Sequence, residues 1–125
     1  MQLWSKVILP AILLMILDGI FIGSQSAMFN RQIYDVQHSK LEVNMVGAVL
    51  SYIFLIFALY YFILREHRSV YDAMLLGLVI YGVYETTTYA LLKKWRVQTM
   101  IYDTLWGSVL FGLTTFLTYK LTSTR

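Results

Sequence analysis

Long apolar runs broken by short polar connections set the pattern of this chain. The runs are Val7–Ala27, Met45–Leu64, Ala73–Leu92 and Val97–Tyr119, rich in Leu, Ile, Val, Phe and Tyr. A bilayer core of about 30 Å needs about 20 apolar residues at about 1.5 Å each, and all four runs qualify. Each is predicted to be a membrane-spanning helix. The connections are Met28–Asn44, Arg65–Asp72 and Lys93–Arg96. The last is so short that the third and fourth spans must form an antiparallel hairpin. No run shows the ten-residue alternation of a membrane β-barrel strand. The expected fold is all-α: one integral membrane four-helix bundle over residues 1–125, with both termini on the same side.

Pro10 falls in the first turns of the first span, where a missing N–H costs little. Lys6, the run Val7–Leu17 and the small residues Ser24 and Ser26 also fit a cleaved signal peptide loosely. Asp18 argues against cleavage, because it ends the apolar run too early. Met28–Asn44 is the only sizeable polar segment. Phe29, Ile33 and Val36 recur there at helical spacing, which fits an amphipathic helix lying in the interface. A solvated loop fits equally well.

Composition agrees with the pattern. The 125 residues are 58% hydrophobic and 14% charged, with no Cys and one Pro. Soluble domains average about 25% charged residues, so this chain is too apolar to be one. The net charge of +3 is carried by scattered Lys and Arg, without the clustered face that nucleic-acid binding requires. Lys6, Arg65, Arg68, Lys120 and Arg125 fall on one side of the expected membrane. Arg31, Lys40, Lys93, Lys94 and Arg96 fall on the other, so the positive-inside rule gives no orientation.

Seven acidic residues are present, and three of them, Asp18, Glu85 and Asp103, lie inside spans. Acids at membrane depth are expensive, so they face the bundle interior and are paired or functional. Asp18 is near the middle of its span. Glu85 lies eight residues before Lys93, roughly 12 Å in, and Asp103 seven after Arg96, roughly 10 Å in from the same end. The three are predicted to share one layer. Their surroundings are polar: Tyr84, Thr86, Thr87, Thr88 and Tyr89 around Glu85, and Tyr102, Thr104 and Trp106 around Asp103. Gly19, Gly23 and Gly107 are the small residues expected to let helices approach closely.

Two readings of the acids stand side by side. In one, Asp18, Glu85 and Asp103 bind a proton, a cation or a small polar ligand, with Thr87, Thr88 and Trp106 shaping the site. Lys93, Lys94 and Arg96 then form its basic rim. In the other, each acid is hydrogen-bonded to Thr, Tyr or Trp and fixes helix register. His38 and His67 lie in connections, so no metal site is expected. No nucleophile with a base at matching depth supports catalysis, and no phosphate-binding glycine loop is present. No cofactor is indicated. The expected partners are the lipid bilayer and either further copies of the chain or a larger membrane complex. The corresponding function classes are small-ligand transport or binding, and a non-catalytic accessory subunit.

Several of these residues fall into ordered elements. The first span holds Asp18-Gly19-Ile20-Phe21-Ile22-Gly23, and the third Tyr84-Glu85-Thr86-Thr87-Thr88 followed by Lys93-Lys94-Trp95. The fourth holds Asp103-Thr104-Leu105-Trp106-Gly107, and Met28-Phe29-Asn30-Arg31-Gln32 follows the first span. The chain resembles a family of small bacterial predicted membrane proteins, domain of unknown function 2177. Members of that family carry Asp-x-x-Trp-x-Gly, Tyr-Asp-x-Thr-Asn and Asp-x-x-Trp-Gly in these places. Here Phe21 replaces Trp, Glu85 replaces Asp and Thr88 replaces Asn, while the fourth-span element matches in full. The resemblance implies a four-span fold with buried polar residues, and no reaction.

Overall fold

The computed structural model describes residues 3–25, 31, 34, 45–92 and 95–122. Among these residues there is no strand. Four α-helices, α1 (Leu9–Ser24), α2 (Met45–Leu59), α3 (Val70–Leu91) and α4 (Val97–Thr122), make up the bundle. Two π-helical turns extend it, Trp4–Ile8 ahead of α1 and Tyr60–Leu64 at the end of α2. Pro10 explains the first. A proline ring collides with the carbonyl four residues back and supplies no N–H. The wider turn, closed by the Leu9 N–H donating to the Trp4 carbonyl, accommodates it.

The third helix starts three residues earlier than the span read from the sequence. The reason is a cap: the Asp72 N–H donates to Ser69 Oγ at 3.0 Å, satisfying one donor of the first turn. Asp72 then sits where the helix dipole favours an acid. Upstream, His67 adopts φ 53°, and its N–H donates to the Leu64 carbonyl while that of Arg68 donates to Ile63. This is a Schellman stop with His in the left-handed position usually held by Gly. The His67 ring stacks on Tyr119 at 4.0 Å, and the Tyr119 hydroxyl donates to the Arg68 carbonyl at 2.6 Å. These contacts fasten the α2–α3 turn to the end of α4. Lys6 Nζ donates to the Arg65 carbonyl at 2.9 Å, which brings the first turn of the chain to the same end.

Helices α3 and α4 form the expected antiparallel hairpin and are packed backbone to backbone. A Cβ on Gly77 would land on the Gly107 carbonyl, and one on Gly107 would enter the Tyr81 ring. A Cβ on Gly112 would meet Met74 in the same way. This corrects the expectation for small residues. Gly107 allows close approach, but Gly19 and Gly23 face open space, because that flank of α1 is exposed. Gly77 takes their part.

The apolar core gathers Leu14, Leu59, Ile63, Leu64, Ala73, Leu110 and Phe111. Thr99, Thr114, Thr115 and Thr118 of α4 are buried with it. Trp4–Ser24, Met45–Leu64 and Val97–Thr122 are long and apolar enough to cross a membrane. The chain is an integral, multi-pass membrane protein. Helix α3 has 22 residues, about 33 Å at 1.5 Å each, so its length suffices. Its stretch Tyr84–Tyr89 interrupts the apolar run with Glu85 and three threonines. Of the Met28–Asn44 connection only Arg31 and Tyr34 are described, both helical and exposed. The choice between interfacial helix and solvated loop lies outside the described residues.

Candidate functional site

Helix α2 buries Leu59, Ile63 and Leu64 at its end but leaves most of its earlier side chains exposed. It therefore joins the bundle at one end and stands away from it at the other. The space left between α2 and the remaining helices is a cleft of about 510 Å³. Asp18, Tyr52, Tyr81, Tyr84 and Asp103 supply most of its polar edge, and Ile22, Ala48, Phe54, Leu55 and Ile80 its apolar wall. Volumes of roughly 300–1,000 Å³ with a few convergent polar groups on apolar walls are those of small-molecule sites.

Asp18 is held from two helices. Tyr52 Oη of α2 donates to Oδ2 at 2.7 Å, and Trp106 Nε1 of α4 donates to Oδ1 at 2.9 Å. Phe21, one turn along from Asp18, stacks on the Trp106 ring at 4.4 Å and 4°. That stacking aims the indole N–H at the carboxyl group. The Tyr52 bond is the polar tie of α2 to the bundle across the cleft.

Glu85 is more deeply placed, 1% exposed, and accepts from Trp95 Nε1 at 2.9 Å. Trp95 occupies the tight turn between α3 and α4, where its own N–H donates to the Leu92 carbonyl. Asp103 of α4 is a near neighbour of Glu85. Asp103 in turn borders the cleft that Asp18 borders. Among the described residues, no three acidic, His or Cys side chains converge closely enough to hold a metal ion.

The residues singled out in the sequence thus separate into three groups. Asp18, Glu85, Asp103 and Trp106 come together around one layer. Thr87 and Thr88 do not border the cleft: Thr87 is exposed, and Thr88 Oγ1 donates to the Tyr84 carbonyl of its own helix at 2.8 Å. Of the basic rim, Arg96 is exposed at the start of α4, and Lys93 and Lys94 lie outside the described residues. Tyr52 and Trp95 were not among the residues singled out, although both donate to the acids. Tyr52 had a signal, since a phenol in the middle of an apolar span requires a partner for its hydroxyl.

The comparison with curated proteins and that with solved structures found no match. The model of one family, described as predicted membrane protein (DUF2177), matches residues 4–120. That range takes in the first three helices, all but the last two residues of α4, both π-helical turns and every side chain of the acidic layer. The chain belongs to this family of predicted membrane proteins.

Proposed function

We propose that the protein binds a proton at the layer of Asp18, Glu85 and Asp103 and serves its movement across the membrane. The observation that carries this reading is the cleft of about 510 Å³ bordered by two carboxyl groups at membrane depth. A third, Glu85, stands behind Asp103. Acids in such a place mark ion or substrate pathways by default. In this reading α3 crosses the bilayer beside α4, both termini lie on one side, and the lipid bilayer is the immediate partner. Four helices enclose little space, so a second copy of the chain completes the path.

Reconstitution into proteoliposomes tests it. Asp103→Asn is expected to reduce proton flux at least tenfold while the purified protein stays folded and monodisperse. Unchanged flux would overturn the reading. So would loss of stable protein with Asp103→Asn, since the acid would then serve the fold.

A second reading, an accessory subunit of a larger complex, draws on the exposed early part of α2, where Val46, Val49 and Phe54 are all at least half exposed. Cross-linking through Val46→Cys separates the two. A hetero-complex with no flux supports the accessory role.

A further inference from the structure

A proton needs no cavity, so the cleft beside the acids has room that proton binding leaves unused. Its volume of about 510 Å³ is that of a small-molecule site. The side chains of Ile22, Ala48, Leu55 and Ile80 give it walls that offer no hydrogen bond, so the body of an occupant is apolar. Among the described residues, no Lys, Arg or His borders the cleft, whereas the carboxyl groups of Asp18 and Asp103 do. Like charge facing like is costly, which turns anions away.

The polar edge shows where a head group is met. Asp18 has both oxygens occupied, one by Tyr52 and one by Trp106. Asp103 accepts from no Tyr, Trp, Lys or Arg side chain among the described residues. Tyr81 borders the cleft too, and its hydroxyl has no hydrogen-bonding partner among them. Both residues keep some exposed surface, so a ligand can reach them. Each has lone pairs to offer, and the shared requirement is a donor. The rings of Tyr52, Phe54 and Tyr81 border the same space, and aromatic faces attract cations.

We propose that the cleft binds a lipophilic primary or secondary ammonium ion. Its N–H groups donate to Asp103 and to the Tyr81 hydroxyl oxygen, and its apolar body lies against Ile22, Ala48, Leu55 and Ile80. It arrives from the bilayer, past the part of α2 where Phe54 is 70% exposed. The inference rests on the proton reading in one respect: Asp103 is the group for which ammonium and proton compete.

Dibenzylamine, a cation at neutral pH, is the probe, and dibenzyl ether is its uncharged isostere. Equilibrium dialysis compares lipid nanodiscs carrying the protein with empty ones. The amine is expected to be retained saturably by the loaded nanodiscs, at least tenfold more tightly than the ether. Asp103→Asn is expected to weaken its binding at least tenfold. So is Ala48→Trp, which fills the cleft and leaves every acid in place. Retention no greater than by empty nanodiscs overturns the proposal, as does an ether bound as well as the amine. Undiminished binding to either variant overturns it too. If Asp103→Asn does not fold, Ala48→Trp and the ether decide the matter. The assay involves no proton gradient and no flux. A proton response without amine retention overturns this inference alone, whereas amine retention with no proton response overturns the proton reading and leaves the ammonium site standing.

Discussion

Asp18 is the residue on which the site turns, because its two carboxyl oxygens accept from two different helices. Tyr52 reaches it from α2 and Trp106 from α4. Removing one donor leaves a carboxyl oxygen without a partner in a poorly solvated layer. Polar contacts between membrane helices average about 0.6 kcal/mol, and bonds to charged groups in general reach about 1.5–3 kcal/mol. Trp106→Phe keeps a ring to stack on Phe21 but loses the N–H and part of the indole's volume. It is therefore expected to lower stability by about 1 kcal/mol, as is Tyr52→Phe. Reversible unfolding in detergent, combined in a double-mutant cycle with Asp18→Asn, checks this. Each donor should show coupling to Asp18, and additive effects would mean the bonds carry no energy.

At the scale of helices, the sequence made some contacts legible and hid others. The four apolar runs gave the helices, since length and hydropathy alone separate spans from connections. The acids were legible because charge at membrane depth has few explanations. Which glycines touch was not legible, because the lipid-facing side of a membrane helix is as apolar as its packed side. Without a polar stripe, nothing in the sequence distinguishes Gly19 from Gly77. Their environments differ sharply. Gly77→Ala drives a methyl group into the Gly107 carbonyl and is expected to destabilise the hairpin by about 1–3 kcal/mol, the cost of overpacking. Gly19→Ala meets nothing and is expected to be neutral or stabilising by up to about 1 kcal/mol from helix propensity. Thermal unfolding should show a lowered midpoint for Gly77→Ala and an unchanged or raised one for Gly19→Ala. Equal shifts would contradict the packing described for α3 and α4.

For the whole molecule, the central feature is that α2 is joined at one end and open at the other. The joined end is apolar, built from Leu59, Ile63 and Leu64 against the core. At the open end α2 is tied to the bundle by Tyr52 on Asp18, across the cleft that Asp103 also borders. A ligand that draws on Asp18 therefore competes with the bond that holds α2, so binding and helix position are linked. This link was hidden in the sequence, where Tyr52 reads as one more aromatic in an apolar run.

The central claim is that the three acids form one proton-binding layer. Tryptophan fluorescence tests it most directly, because Trp106 and Trp95 donate to Asp18 and Glu85 respectively. The protein in lipid nanodiscs is titrated with protons. A saturable change in emission is predicted for the native chain, lost or shifted at least tenfold in midpoint with Asp18→Asn, Glu85→Gln and Asp103→Asn alike. A flat titration, or one that all three variants leave unchanged, would contradict the account.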